Sequence, residues 1–196
     1  AWKRAIDVVA ASLALVVLSP VMLIAALAVR LSSRGPVLFR QERAGLGGRP
    51  FTMYKFRSMV AGAEARRDEL LGLNEQDGPA FKIRHDPRVT RVGKFLRKTS
   101  LDELPQLVNV LTGDMTLVGP RPLPLAESDG CDRWHRRRLD VTPGLTCVWQ
   151  VEGRNEVLFD DWMRMDLKYI RSRGVWTDLW LILRTIPAVL LRKGAR

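Results

Sequence analysis

The chain has 196 residues, enough for one ordinary domain with its own core, and its 32 Lys and Arg against 21 Asp and Glu give a net charge of +11. That balance points to an anionic partner, whether nucleic acid, acidic headgroups or a phosphate-rich substrate, while a hydrophobic fraction of 46% excludes intrinsic disorder and a polytopic membrane protein. Cys131 and Cys147 lack the spacing of a zinc site or a disulfide framework and read as reduced cytosolic thiols, and a start at Ala1 rather than Met reads as a piece of a longer protein.

The first predicted element is a membrane helix. From Val8 to Val29 the run VVAASLALVVLSPVMLIAALAV carries no charge, with Lys3 and Arg4 before it and Arg30 and Arg34 after it. Pro20 has no N–H to offer the carbonyl of Val16, so a kink is expected, and the Ser19 hydroxyl can bond back one turn earlier. Each limb is roughly 14–17 Å long at ~1.5 Å per residue, about half the hydrocarbon thickness. Length also allows a kinked crossing. Basic residues at both ends favour a re-entrant helix with both ends in the cytoplasm.

The soluble remainder begins with two β-like runs, Val37 to Phe39 and Phe51 to Phe56, joined by a turn at Gly45, Gly47 and Gly48. Lys55 and Arg57 are predicted to point opposite to Phe56. Ala61 to Gly72 reads as a charged helix, NEQDGPA as a loop, and His85 to Lys98 as a lead-in to a basic helix.

The stretch TSLDELPQLVNVLTGDMTLVGPRP, Thr99 to Pro122, places two adjacent acids at the head of an apolar run. Ser100 and Glu103 have the spacing of a capping box, and acids there suit the positive end of a helix dipole. Leu101, Leu104, Val108 and Leu111 recur at helical spacing and are expected to face a core. The same two acids, Asp102 and Glu103, are also candidates for chemistry, and Arg121, held between Pro120 and Pro122, is a rigid fork suited to phosphate oxygens. After TPG and EGR turns, Phe159 to Ile170 reads as a helix whose Asp166 needs a basic partner or a task. Trp176 to Leu191 reads as an interfacial helix with Trp176 and Trp180 at headgroup level.

Taken together, KRAID, the Ser19-Pro20 break, KFRSM, SLDELPQLVNVLTGDM, VGPRP, PGLT, GRN and DLKY resemble, in order, the bacterial sugar transferase family, the monotopic polyprenyl-phosphate phosphoglycosyl transferases. The resemblance covers nearly the whole chain. The family usually has Gly where Cys147 stands and Trp-Ala where Val148-Trp149 stands, departures that bear on the sugar or lipid pocket. The resemblance implies a mixed, helix-rich α/β domain on the cytoplasmic face of the inner membrane, with residues 1–34 as a re-entrant helix broken at Ser19 and Pro20. Residues 35–196 would form the catalytic domain, with interfacial amphipathic helices.

It further implies that Asp102 attacks the sugar-bearing phosphate of a UDP-sugar, releasing UMP, and that polyprenyl phosphate then takes the phosphosugar. Asp102 and Glu103 would share a Mg²⁺, whose oxygen-rich coordination accommodates substrate phosphates. Lys55, Arg57, Arg97, Pro120, Arg121, Pro122, Arg154 and Asp166 would bind substrate, and there is room for a homodimer. Two rivals stand beside this reading. One is a one-step transferase in which the acids only hold metal. The other is a membrane-tethered basic module, which leaves the acids without a role and lacks the aromatic–basic interleaving of a single-strand nucleic-acid binder, so no nucleic-acid partner is expected.

Overall fold

The uncharged N-terminal run forms one helix, α1 (Trp2–Ser32), which remains helical through Pro20. The Ser19 hydroxyl donates to the carbonyl of Val16 at 2.8 Å, the back-bond expected beside a residue with no N–H. The computed structural model describes residues 2–152 and 157–190. In that structure α1 is long and apolar enough to cross a membrane, and only 11% of its most apolar window is buried. Val9, Leu13, Val16, Leu23 and Ile24 are all exposed. An apolar stripe of this extent is unusual on a surface that meets water.

The buried positions of α1 lie toward its two ends and rest on the same body. Asp7 donates nothing and accepts from Thr116 Oγ1 at 2.6 Å and from the Leu117 N–H at 3.0 Å. Ala11 packs with Met53, Leu107, Val110 and Met115, while Ala25 and Val29 pack with Phe56 and Leu96.

The next elements are a hairpin of β1 (Leu38–Ala44) and β2 (Pro50–Phe56), paired antiparallel from Leu38 opposite Phe56 to Ala44 opposite Pro50. The first strand therefore runs five residues past the expected Phe39, because its polar outer face disguises an alternating strand. The predicted charged helix at 61–72 is not there: Ala61 to Arg66 are turns, and a 3-10 helix follows at Asp68–Leu73. Gly62 sits at φ +76°, in the left-handed region, and the 3-10 helix buries no side chain that would reward a regular helix.

Helix α2 (Arg91–Lys98) starts at Thr90, whose side chain accepts from the Gly93 N–H. Helix α3 is Gln106–Thr112, ended by Gly113 at φ +94°. Its buried side chains are Gln106, Leu107, Asn109 and Val110, and Val108 is exposed, so the expected core face is rotated. The rotation follows from Asn109. Fully buried, it donates to the carbonyl of Thr52 at 2.8 Å and accepts from the Tyr54 N–H at 3.1 Å, holding α3 to β2 as a further strand would.

Strands β3 (Thr116–Val118) and β4 (Gly144–Thr146) form a parallel pair. A Cβ on Gly144 would meet the backbone of Gly119 at 2.0 Å, so the glycines of VGPRP and PGLT exist to let two chains touch. The remaining helices are α4 (Leu125–Asp129), α5 (Val148–Glu152), α6 (Phe159–Ser172) and α7 (Val175–Leu190). On α7, Leu181 is fully buried beside Val118 and Tyr169, while Trp176 and Leu183 are largely exposed. The architecture is a helix-rich α/β fold with two small sheets, and α1 lies across it.

Candidate active site

The acidic pair does not cap a helix. Ser100 adopts φ 57°, ψ 14°, the only positive φ at a non-glycine among the described residues, and its side chain makes no capping bond. This bend ends α2 and throws the chain into a short 3-10 turn, Leu101–Glu103, with Pro105 in the cap position before α3. Glu103 turns away from the backbone for a physical reason: charge-assisted bonds to two cations outweigh a neutral bond to one N–H. Lys55 donates to Glu103 Oε1 at 2.7 Å, and Arg121 donates to both Glu103 oxygens. These cations hold the Glu103 carboxyl well below the usual carboxylate range, and Glu103 raises Arg121 in return. Burial pushes Lys55 down, with Glu103 pulling it back up.

Asp102 is the opposite case. It is 7% exposed and has no hydrogen bond or ion pair among the described residues. Burial pushes its carboxyl up, and the fields of Lys55, Arg97 and Arg121 oppose that only in part. Its carboxylate oxygens keep access to the cleft, where a ligand can supply the partner that the protein does not.

Both acids line a cleft of about 1760 Å³, larger than the ~300–1,000 Å³ of ordinary small-molecule pockets. One side of it gathers Arg43, Lys55, Arg97 and Arg121. Another is apolar: Ala10, Ala14 and Leu18, every fourth residue and so one face of α1, meet Leu117, Leu145 and Ile182.

The other predicted site residues fall in different places. Arg97 lines the cleft and donates through Nε to Ser58 Oγ at 2.8 Å. Arg57 also lines it, but its terminal nitrogens donate to the carbonyls of Arg34 and Ser33 at 2.6 and 2.8 Å, securing the chain just after α1. Pro120 and Pro122 present their carbonyls to Gly144 N–H and to Arg43 and do not line the cleft. Asp166 is 1% exposed and is not among the residues that line the cleft. Of the two alternatives left open for it, a basic partner is present: Arg138 donates to Asp166 Oδ2 at 2.7 Å and also to the carbonyl of Arg121. Burial pushes Asp166 up to about 6 in spite of that pair. Arg154 lies outside the described residues.

Sequence reasoning missed Arg43 and Arg138. Arg43 is an alternating strand residue and Arg138 one of four arginines within six positions, so neither position stands out.

Among the described residues no three His, Cys, Asp or Glu side chains cluster as a metal site. The donor chemistry nonetheless fits a hard divalent cation. Asp102 offers uncommitted carboxylate oxygens beside Glu103, and Mg²⁺ ordinarily takes one or two carboxylates and fills its shell with phosphate oxygens and water.

Comparison with known proteins adds an independent line. The family described as Bacterial sugar transferase matches residues 1–192. The chain is 43% identical over 195 residues to galactosyl transferase CpsE of Streptococcus agalactiae serotype III, covering 99% of this chain and 43% of the relative. It is 42% identical over 201 residues to undecaprenyl-phosphate galactose phosphotransferase of Salmonella typhimurium, covering 98% of this chain and 41% of that relative. It is 44% identical over 203 residues to UDP-glucose:undecaprenyl-phosphate glucose-1-phosphate transferase of Caulobacter vibrioides, covering 98% and 71%. The chain thus spans less than half the length of the first two relatives.

Proposed function

This chain belongs to the bacterial sugar transferase family, and from that premise we propose that it transfers a hexose 1-phosphate from a UDP-sugar to polyprenyl phosphate on the cytoplasmic face of the inner membrane. The products are UMP and a polyprenyl diphosphate sugar, the lipid-linked start of a glycan. The names of the glucose and galactose phosphate transferases among its relatives support the substrate class. The observation that carries the reading is Asp102, whose carboxylate has no partner among the described residues and opens into a cleft that joins a group of cations to the apolar face of α1.

In the first step a carboxylate oxygen of Asp102 attacks the phosphorus that bears the sugar. The bridging P–O bond breaks and its electron pair leaves with UMP, while the sugar–oxygen bond is untouched. The two charges of the diphosphate and the one on Asp102 become one on the aspartyl phosphosugar and two on UMP, so no proton moves. In the second step an oxygen of polyprenyl phosphate attacks the same phosphorus and Asp102 departs as a carboxylate.

Neither nucleophile needs a base, which suits a Glu103 locked in its ionised form between Lys55 and Arg121. Glu103 holds those cations in place, and they have more donors than Glu103 can accept, leaving some for phosphate. Asp166 through Arg138 fixes the backbone of Arg121 from behind. A bound Mg²⁺ would neutralise the diphosphate and polarise its oxygens, held by Asp102 with Glu103 beside it.

The apolar side of the cleft takes the isoprenoid chain. Lys3 and Arg4 at one end of α1 and Val29 at the other contact the same domain, which supports a helix that enters and leaves the bilayer on one side, with the Ser19-Pro20 break at its deepest point. Protein in lipid nanodiscs, given a UDP-hexose and polyprenyl phosphate, is expected to form UMP and lipid-linked diphosphate sugar in equal amounts. Formation of UDP instead would mean that the sugar–oxygen bond breaks, and the proposal fails.

A further inference from the structure

The cations around the acidic pair are not equally occupied. Lys55 and Arg121 are committed to Glu103, Arg57 to backbone carbonyls and the Nε of Arg97 to Ser58. Arg43 is different. It enters from β1, where its backbone is bridged to Pro124, and its side chain lines the cleft with Lys55, Glu103 and Arg121. One terminal nitrogen donates to the carbonyl of Pro122 at 3.0 Å, and its Nε is buried without any partner. Among the described residues no carboxylate is within ion-pair range of it.

The acids whose fields reach Arg43 are each held by something else. Glu127 pairs with Arg67 at 3.2 Å, Glu103 with Lys55 and Arg121, and Glu64 accepts from Gln41 Nε2 at 3.1 Å. Burial, and then the like charge of Arg121, pull the guanidinium down to about 10. Along the hairpin Lys55 stands opposite Phe39, whereas Arg43 lies four residues further on β1, roughly 13 Å away at about 3.3 Å per residue, so it enters the cleft away from the point where Lys55 meets Glu103.

We propose that Arg43 anchors a second phosphate subsite, which takes the phosphate that leaves on UMP rather than the phosphate that Asp102 attacks. The inference rests on the transferase reading above. When the bridging P–O bond breaks, its electron pair stays on the departing oxygen and the UMP phosphate passes from one negative charge to two. A guanidinium with no carboxylate partner gains most from that second charge, so its interaction strengthens as the bond breaks. A fork-shaped donor also fits two oxygens of one phosphate.

The test is UMP binding by calorimetry on the nanodisc protein, together with UMP inhibition of transfer, for wild type, Arg43→Met, Arg43→Lys and the exposed control Arg66→Ala. Arg43→Met is expected to weaken UMP binding roughly 10- to 100-fold, as loss of a charged hydrogen bond does, with Arg43→Lys recovering part of it. The KM for polyprenyl phosphate should stay within about twofold, and Arg66→Ala should match wild type. The rise in melting temperature caused by UMP should shrink in Arg43→Met even where the ligand-free melting temperature is kept. Unchanged UMP affinity with a lowered ligand-free melting temperature would make Arg43 a strut for the Pro122 turn and overturn the proposal. A raised KM for polyprenyl phosphate with unchanged UMP affinity would give the subsite to the lipid phosphate and also overturn it. A wild type that binds no UMP would overturn this proposal and the transferase reading together.

Discussion

Asp102 and Glu103 are neighbours in sequence and opposites in environment. Glu103 accepts from two cations, and replacing it with Gln leaves Lys55 and Arg121 partly buried without their counter-charge. We expect Glu103→Gln to lose about 3 kcal/mol of stability in thermal or denaturant unfolding, the scale for breaking such a group. The sign with pH follows from its depressed pKa: the contribution is complete above the ordinary Glu value of 4.5 and is lost as pH falls below it. Wild type should therefore lose stability more steeply than Glu103→Gln in that acid range. For Asp102 the shift runs upward, so protonation would silence the proposed nucleophile above the ordinary Asp value of 3.8. The acid limb of kcat/KM for UMP release should lie above that value, and a limb at or below it would contradict a desolvated nucleophile. The pair itself was legible as chemistry because two acids and a Pro-Arg-Pro turn share one short stretch. The destination of Glu103 was not, since the cations that take it lie 48 and 18 residues away and a capping box satisfies the same local pattern.

At the scale of elements, periodicity located α1, β2, α2 and α6 but misplaced the face of α3. Leucine and valine spacing predicted Val108 inward, whereas Asn109, a polar residue, is the one fully buried against β2. A buried asparagine that completes a strand edge carries no apolar signal. Asn109→Ala leaves the Thr52 carbonyl and the Tyr54 N–H without their bonds, and we expect a loss of about 2–4 kcal/mol in chemical denaturation, against under about 0.5 for Val108→Ala. The charged stretch at 61–72 misled in the other direction, because charge pattern alone does not bury a helix face. Ser19 and Pro20 sit where α1 loses its backbone bond, and the Ser19 back-bond is present. Restoring the ladder with Ser19→Leu and Pro20→Ala should straighten α1 toward a crossing. A cysteine at position 2 should then become reactive to an impermeant reagent outside intact cells, while the same label on the unaltered helix should stay protected. Outside labelling of the unaltered helix would refute the one-sided topology.

Over the whole molecule, the excess of positive charge and the apolar helix were read separately from the sequence, and the fold brings them to one cleft. Asp7 fastens α1 to β3, the glycine contact between residues 119 and 144 sets β3 against β4, and the turn after β3 carries Arg121 to Glu103. None of these approaches has a local signature, which is why Arg43 and Arg138 were invisible while Asp102, Glu103 and Asp166 were not. In the proposed two-step transfer Asp102 itself becomes bonded to phosphorus. The direct measurement is to incubate the protein with UDP-hexose and Mg²⁺ in the absence of any lipid acceptor, following UMP and the intact mass of the chain. UMP should rise to about one equivalent and stop, as covalent catalysis requires. The added hexose phosphate should map within Ser100–Gln106 to Asp102, and Asp102→Asn should abolish both signals. No UMP without acceptor, an adduct on Glu103, or normal turnover by Asp102→Asn would contradict the covalent account.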